Sequence, residues 1–129
     1  MYIYKTTLKL HQTDAAGVLF FSKLMEIAYD AYHEFMEHIQ FGLGKIIREE
    51  SFLLPIIHTE ADYYKPLFVG DHLTVKFEIE RVGTSSFVTR STILKDDVEA
   101  GMVRIVQVAI DKKTGLKIDL PPRLKKALS

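Results

Sequence analysis

Asp14 is the residue whose type and setting best suit chemistry on a carbonyl. It lies in Thr13-Asp14-Ala15-Ala16-Gly17, a polar turn that ends in glycine, just ahead of the apolar run Val18-Leu19-Phe20-Phe21. Beyond Ser22, the stretch Lys23 to Ile39 has apolar residues at helical spacing: Leu24, Met25, Ala28, Tyr32, Phe35, Met36 and Ile39. Glu26, Asp30, Glu34 and Glu37 fall on the other side. Ser22 is the expected N-cap, its hydroxyl accepting from a first-turn N–H. The acid at Glu26 comes one place too late for a capping box. A helix start leaves N–H groups unpaired and carries partial positive charge, so a carboxylate beside it stays ionised. An acid next to a free N–H can attack a carbonyl and stabilise the oxyanion that forms. Asp before a glycine turn also has a plainer use, bonding its own backbone. Spacing alone leaves both uses open.

Other chemistries find little footing. With no cysteine there is no disulfide, thiol nucleophile or thiolate metal site. No Gly-x-Ser-x-Gly elbow is present, and Gly42-Leu43-Gly44-Lys45 lacks the spacing of a Walker loop. His11, His33, His38, His58 and His72 form no His-Glu-x-x-His pair, so no metal is expected. Polar residues near strand ends, His58, Thr59, Ser85 and Ser86, remain as candidate substrate contacts. Arg81, Arg90, Lys95, Arg104, Lys112 and Lys113 gather in the last three strands and their turns. They read either as solvated strand faces or as a phosphate-binding rim.

The elements that must position Asp14 follow from periodicity. Residues 2–10 alternate, with Tyr2, Tyr4, Thr6, Leu8 and Leu10 on one side. Phe41-Gly42-Leu43-Gly44 is expected to end the long helix, and Lys45 to Glu50 to add a short helical turn. Further strands are expected over 54–64, 72–82, 86–94 and about 99–111, then a short helix over 123–128. The links between the last four strands look hairpin-short, which implies antiparallel pairing of consecutive strands. The fold class is α+β, an antiparallel five-stranded sheet around one long helix. One helix cannot cover such a sheet, and Pro55 marks an edge, so a homodimer or homotetramer is expected.

At 129 residues the chain suits one domain, 1–129. A formal net charge of zero argues against a general nucleic-acid binder, which needs a basic surface. No run of about 18 apolar residues offers a membrane span, and the start lacks a signal peptide's pattern. A cytoplasmic protein is expected.

The stretch Thr13-Asp14-Ala15-Ala16-Gly17-Val18-Leu19-Phe20-Phe21 resembles the Asp-x-x-Gly-x-x-(aromatic) motif of hotdog-fold acyl-CoA thioesterases of the 4-hydroxybenzoyl-CoA type. Pro55-Ile56-Ile57-His58, Ala61-Asp62, Pro66 and Gly70-Asp71 are similar to the 1,4-dihydroxy-2-naphthoyl-CoA branch, which serves menaquinone and phylloquinone synthesis. Two positions depart from relatives. Gln12 stands where many carry Asp, and Phe20-Phe21 where a related branch has Tyr-His. The resemblance implies a hotdog fold and hydrolysis of an aromatic acyl-CoA. It implies Asp14 as nucleophile or general base and the Phe21 backbone N–H as the carbonyl's polariser. Substrate would be met by Gly17, His58, Thr59, Ser85 and Ser86. Coenzyme A would enter as part of the substrate, with no separate cofactor.

Overall fold

The computed structural model describes residues 1–129. Its strands are β1 (Tyr2–Thr7), β2 (Phe52–Leu53), β3 (Ile56–Tyr63), β4 (His72–Val82), β5 (Ser86–Lys95), β6 (Val98–Val108) and β7 (Ile110–Asp111). Its α-helices are α1 (Lys23–His38), α2 (Leu43–Glu49) and α3 (Pro122–Leu128). The five-stranded sheet runs β1-β4-β5-β6-β3, antiparallel throughout, and β2 pairs with β7 in a separate ladder. The α+β architecture expected from periodicity is present.

α1 packs on β1, β4, β5 and β6. Its buried stripe is Leu24, Ile27, Ala28, Ala31, Tyr32 and Met36, so Ile27 and Ala31 join the positions expected from spacing. Leu73, Val75 and Phe77 of β4, and Phe87 and Ile93 of β5, meet that stripe. Aromatic contacts fix the seating: the Phe35 and Phe77 ring centroids lie 4.9 Å apart, and Tyr32 stacks on Phe87 at 6.3 Å. No helix is long and apolar enough to cross a membrane.

Several local expectations need correction. The first strand stops at Thr7, not at residue 10. Gln12 accepts from the Lys9 N–H at 2.9 Å, and this local bond turns the chain into a short 3-10 helix, Leu10–Gln12. Leu8 therefore stays buried while Leu10 swings out to 72% exposure. Ser22 is the N-cap by position, but its hydroxyl makes no cap bond. Its backbone is already helical, which takes the side chain out of capping reach. α1 ends without glycine. Gln40 takes the left-handed position at φ 67°, and Phe41 N–H bonds Met36 O at 2.8 Å. Gly42 instead is the N-cap position of α2.

The largest correction concerns strand order. β3 does not pair with β4; it pairs with β6, at the far edge from β1. Residues 64–71 form a crossover from one side of the sheet to the other. Leu67 anchors that crossover in the core at 1% exposure. Its backbone bonds run to the Asp14 turn instead of a hairpin partner: Leu19 N–H to Leu67 O at 2.8 Å, and Val69 N–H to Gly17 O at 2.9 Å. β3, led in by Pro55, is a bare edge strand, and of its residues only Ala61 is even half-buried. A bulge between Ile56 and His58 sets Ile56 opposite Gln107.

Candidate active site

Thr13 to Phe21 folds as a small hairpin ahead of α1. Asp14 N–H bonds Val18 O at 2.8 Å, Thr13 bridges Leu19, and Phe20 N–H bonds Gln12 O at 3.0 Å. The turn is closed by the Asp14 carboxylate. Its Oδ1 accepts from Ala16 N–H at 2.8 Å and from Val18 N–H at 3.1 Å. Gly17 sits at φ 76°, a conformation that side-chain-bearing residues rarely adopt. The plainer use of Asp14 is thus real, yet it occupies only one oxygen. Oδ2 has no hydrogen-bond partner, and Asp14 is exposed.

Phe21 follows where the hairpin meets α1. Its N–H makes no hydrogen bond within the chain, and neither does the next one, Ser22 N–H, whereas Phe20 N–H and Lys23 N–H are both satisfied. The Tyr63 hydroxyl donates to the Phe21 carbonyl and so ties the Phe21–Ser22 peptide, next to the one that carries the Phe21 N–H, to the end of β3. A free carboxylate oxygen and an unpaired N–H just ahead of a helix start therefore share one hairpin. Groups of these two kinds can serve chemically as a nucleophile or base and as an oxyanion donor. The crossover backs the hairpin through a Val18–Phe68 bridge. Asp71 secures the crossover, accepting from Phe68 N–H at 2.7 Å and pairing with Lys95 at 2.9 Å. Burial pushes the Asp71 carboxyl up, but the Phe68 N–H and the Lys95 ammonium outweigh it and hold it below the usual range.

The remaining candidates lie elsewhere in the chain. His58 is on the outer sheet face, its Nε2 3.3 Å from Glu60 Oε1. Thr59 lies opposite Ile105 on the bare edge strand. Ser85 closes the β4–β5 hairpin, its hydroxyl 3.4 Å from Asp119, and Ser86 pairs with Val108. In the sheet register these residues lie toward the Ile56 end of β3, whereas the Asp14 hairpin is tied to the Tyr63 end. His58 and Thr59 stand five and four residues before Tyr63, roughly 17 and 13 Å at strand rise, and Ser85 and Ser86 lie beyond the Ile56 end. One chain does not bring His58, Thr59, Ser85 or Ser86 to Asp14.

Of the six bases, Arg81 and Lys113 have free side chains, and the other four are engaged within the chain. Arg104 grips Glu80 through two bonds of 2.8 and 2.9 Å, and Arg90 reaches the same carboxylate at 3.8 Å. Lys95 is held by Asp71, and Lys112 Nζ donates to the Ile47 carbonyl. Two site features escaped the sequence reading. The Tyr63–Phe21 bond joins residues far apart in the chain, so no local pattern announces it. Gln107 is a polar residue within the apolar run of β6, and that interruption was a usable signal.

Thioesterase-like superfamily sequences match this chain over residues 8–128. The chain belongs to the thioesterase-like superfamily. Among its relatives, a 1,4-dihydroxy-2-naphthoyl-CoA hydrolase of Prochlorococcus marinus (strain NATL2A) is 32% identical, over 93% of this chain and 82% of that protein. The enzyme of the same description from Synechococcus sp. (strain CC9605) is 37% identical, over 89% and 80%. The crystal structure of a 1,4-dihydroxy-2-naphthoyl-CoA thioesterase from Synechocystis superposes with a TM-score of 0.92 at 25% identity, covering 98% of this chain and 94% of that one. Within this thioesterase-like chain, the Asp14 hairpin and the crossover behind it both fall inside the matched span.

Proposed function

We propose that this protein hydrolyses 1,4-dihydroxy-2-naphthoyl-CoA to the free acid and coenzyme A, in the cytoplasm, as a step of menaquinone or phylloquinone synthesis. The observation that carries the chemistry is the pairing of a free Asp14 Oδ2 with the unpaired Phe21 N–H on one hairpin. The naphthoyl substrate is supported by the relatives' described activity and by the Pro55–Asp71 likeness.

The thioester carbonyl oxygen would lie against the Phe21 N–H. Oδ2 then attacks the carbonyl carbon, giving coenzyme A thiolate and a mixed anhydride that water cleaves to the free acid and the Asp14 carboxylate, or it takes a proton from a water that attacks the carbonyl carbon and expels the thiolate directly. The Phe21 N–H stabilises the developing oxyanion, and one such donor is worth about 3 kcal/mol. Thioesters are reactive acyl donors, so this pair requires no metal. Dialysis against a chelator is expected to leave kcat unchanged; a loss restored by added zinc or manganese overturns that point.

The working unit is a homodimer or homotetramer. β3 leaves one edge unpaired, with Ile57 at 61% and Tyr63 at 47% exposure, and a second β3 running antiparallel would pair it. Such pairing reverses the strand and lays the second copy's Ile56–Thr59 end beside this copy's Tyr63. That is how His58 and Thr59 would come to an Asp14 hairpin. Initial rates on a panel of CoA esters test the substrate. The naphthoyl ester is expected to give the highest kcat/KM, above benzoyl-, hexanoyl- and decanoyl-CoA. Equal turnover of the straight-chain esters points to a broad acyl-CoA thioesterase, and release of no thiol from any ester to an acyl-CoA binding module.

A further inference from the structure

A second region of the chain has the character of a ligand pocket. Tyr29, Tyr32, Ile46, Leu53, Leu54 and Ile110 help to enclose a cavity of about 360 Å³ between α1, α2 and the chain entering β3. Its volume lies in the range of small-molecule sites, and no charged side chain lines it. A phosphate or carboxylate would find no partner there, whereas a neutral ring or an alkyl chain would.

One part of the wall is polar. Gln107, 1% exposed, donates from Nε2 to Leu54 O at 2.8 Å and to the Tyr32 hydroxyl at 3.3 Å. Both acceptors belong to residues that line the cavity. Gln107 Oε1 is buried with no partner, a rare condition in folded proteins. The Tyr32 hydroxyl accepts from Gln107 and donates to no group in the chain. Burial pushes both the Tyr32 and Tyr29 hydroxyls up, so each keeps its proton at neutral pH. One unused donor and one unused acceptor therefore lie buried in the wall behind the cavity's lining residues.

We infer that this cavity receives a hydroxyl-bearing aromatic ring, and that Gln107, together with Tyr32, sets the preference for the hydroxyl. The ring fills the apolar space, and as the wall opens to it its hydroxyl accepts a hydrogen bond from the Tyr32 hydroxyl and donates one to Gln107 Oε1. A straight chain or a bare ring fills the same volume but leaves the wall unpaired, which is how a pocket built for a hydroxyl rejects analogues lacking one. The inference rests on the aroyl-thioester reading above. Pro55 also lines the cavity, which places it at the end of β3 away from its own Asp14 hairpin. Antiparallel β3 pairing turns it toward the Asp14 hairpin of a second copy.

Binding of neutral probes tests the pocket apart from hydrolysis. The full chain is titrated with 1-naphthol and with naphthalene, and the Tyr32 and Tyr29 ring resonances are followed by NMR. The naphthol is expected to bind at least about tenfold more tightly. Gln107→Met should bring the two affinities together without weakening naphthalene, and Tyr32→Phe, which removes a single oxygen, should do the same should the first variant not fold. Leu54→Trp, which fills the cavity, should weaken both. Equal wild-type affinities, an unaltered ratio in both polar variants, a parallel loss of both probes in them, or a Leu54→Trp protein that binds as before each overturns the inference. Thioester hydrolysis without the naphthol preference leaves the proposed function standing and removes the pocket. The preference without hydrolysis does the reverse.

Discussion

Replacing Asp14 by alanine removes a reactive oxygen and a turn-closing oxygen together, so loss of activity alone would not separate the two roles. Asparagine separates them. Its side-chain oxygen can still accept from Ala16 and Val18, the bonds Oδ1 makes at 2.8 and 3.1 Å. It carries no charge and cannot act as nucleophile or base. Asp14→Asn is expected to keep the melting temperature and lower kcat at least about 100-fold, roughly 2.7 kcal/mol of barrier. Asp14→Ala should match that kcat and lose about 1 kcal/mol of stability per bond as well. An Asp14→Asn enzyme with more than about a tenth of wild-type kcat ends the catalytic assignment. Asp14 was legible because turn, glycine and helix start are consecutive in sequence. The Tyr63 hydroxyl was not, because its partner comes from another element.

The strands themselves could be read from alternation, since Leu73, Val75 and Phe77 do face the core. Their order could not. A short link between two strands looks like a hairpin whether its ends pair or cross the sheet, and only the burial of Leu67 and the bonds to Gly17 and Leu19 reveal the crossover. The same long-range crowding explains a glycine that no turn requires. Gly101 lies in β6 opposite Tyr63, where a Cβ would come within 2.9 Å of Leu24 Cδ2 and 3.0 Å of the Asp62 carbonyl oxygen. Leu24 could give way, but the carbonyl belongs to the strand that carries Tyr63. Gly101→Ala is expected to destabilise by about 1–3 kcal/mol, read as a lower urea midpoint at unchanged m-value. A midpoint equal to wild type means that β3 yields freely there and does not hold Tyr63 rigidly against Phe21.

For the whole molecule, the division of the candidate residues between the two ends of β3 has a consequence that mixing can measure. Light scattering is expected to give at least twice the chain mass of 14.8 kDa at assay concentration. Let each site take its Asp14 hairpin from one copy and its ring pocket from the other. Asp14→Ala and Leu54→Trp homodimers then each contain two broken sites. Unfolded together and refolded at equal concentration, half of the dimers are mixed, and each of these has one site with both parts intact. Activity should return to about a quarter of the wild-type value, because one site in two is whole in half of the dimers. The argument needs the two variants to exchange freely, which a tagged copy pulled down with its untagged counterpart establishes. If both parts came from one chain, every site in the mixture would keep one defect, and exchange would restore nothing. A mixture that exchanges but stays inactive thus places the pocket and Asp14 in the same subunit or removes the pocket from the reaction. Recovery near a quarter ties the bare edge of β3 directly to catalysis.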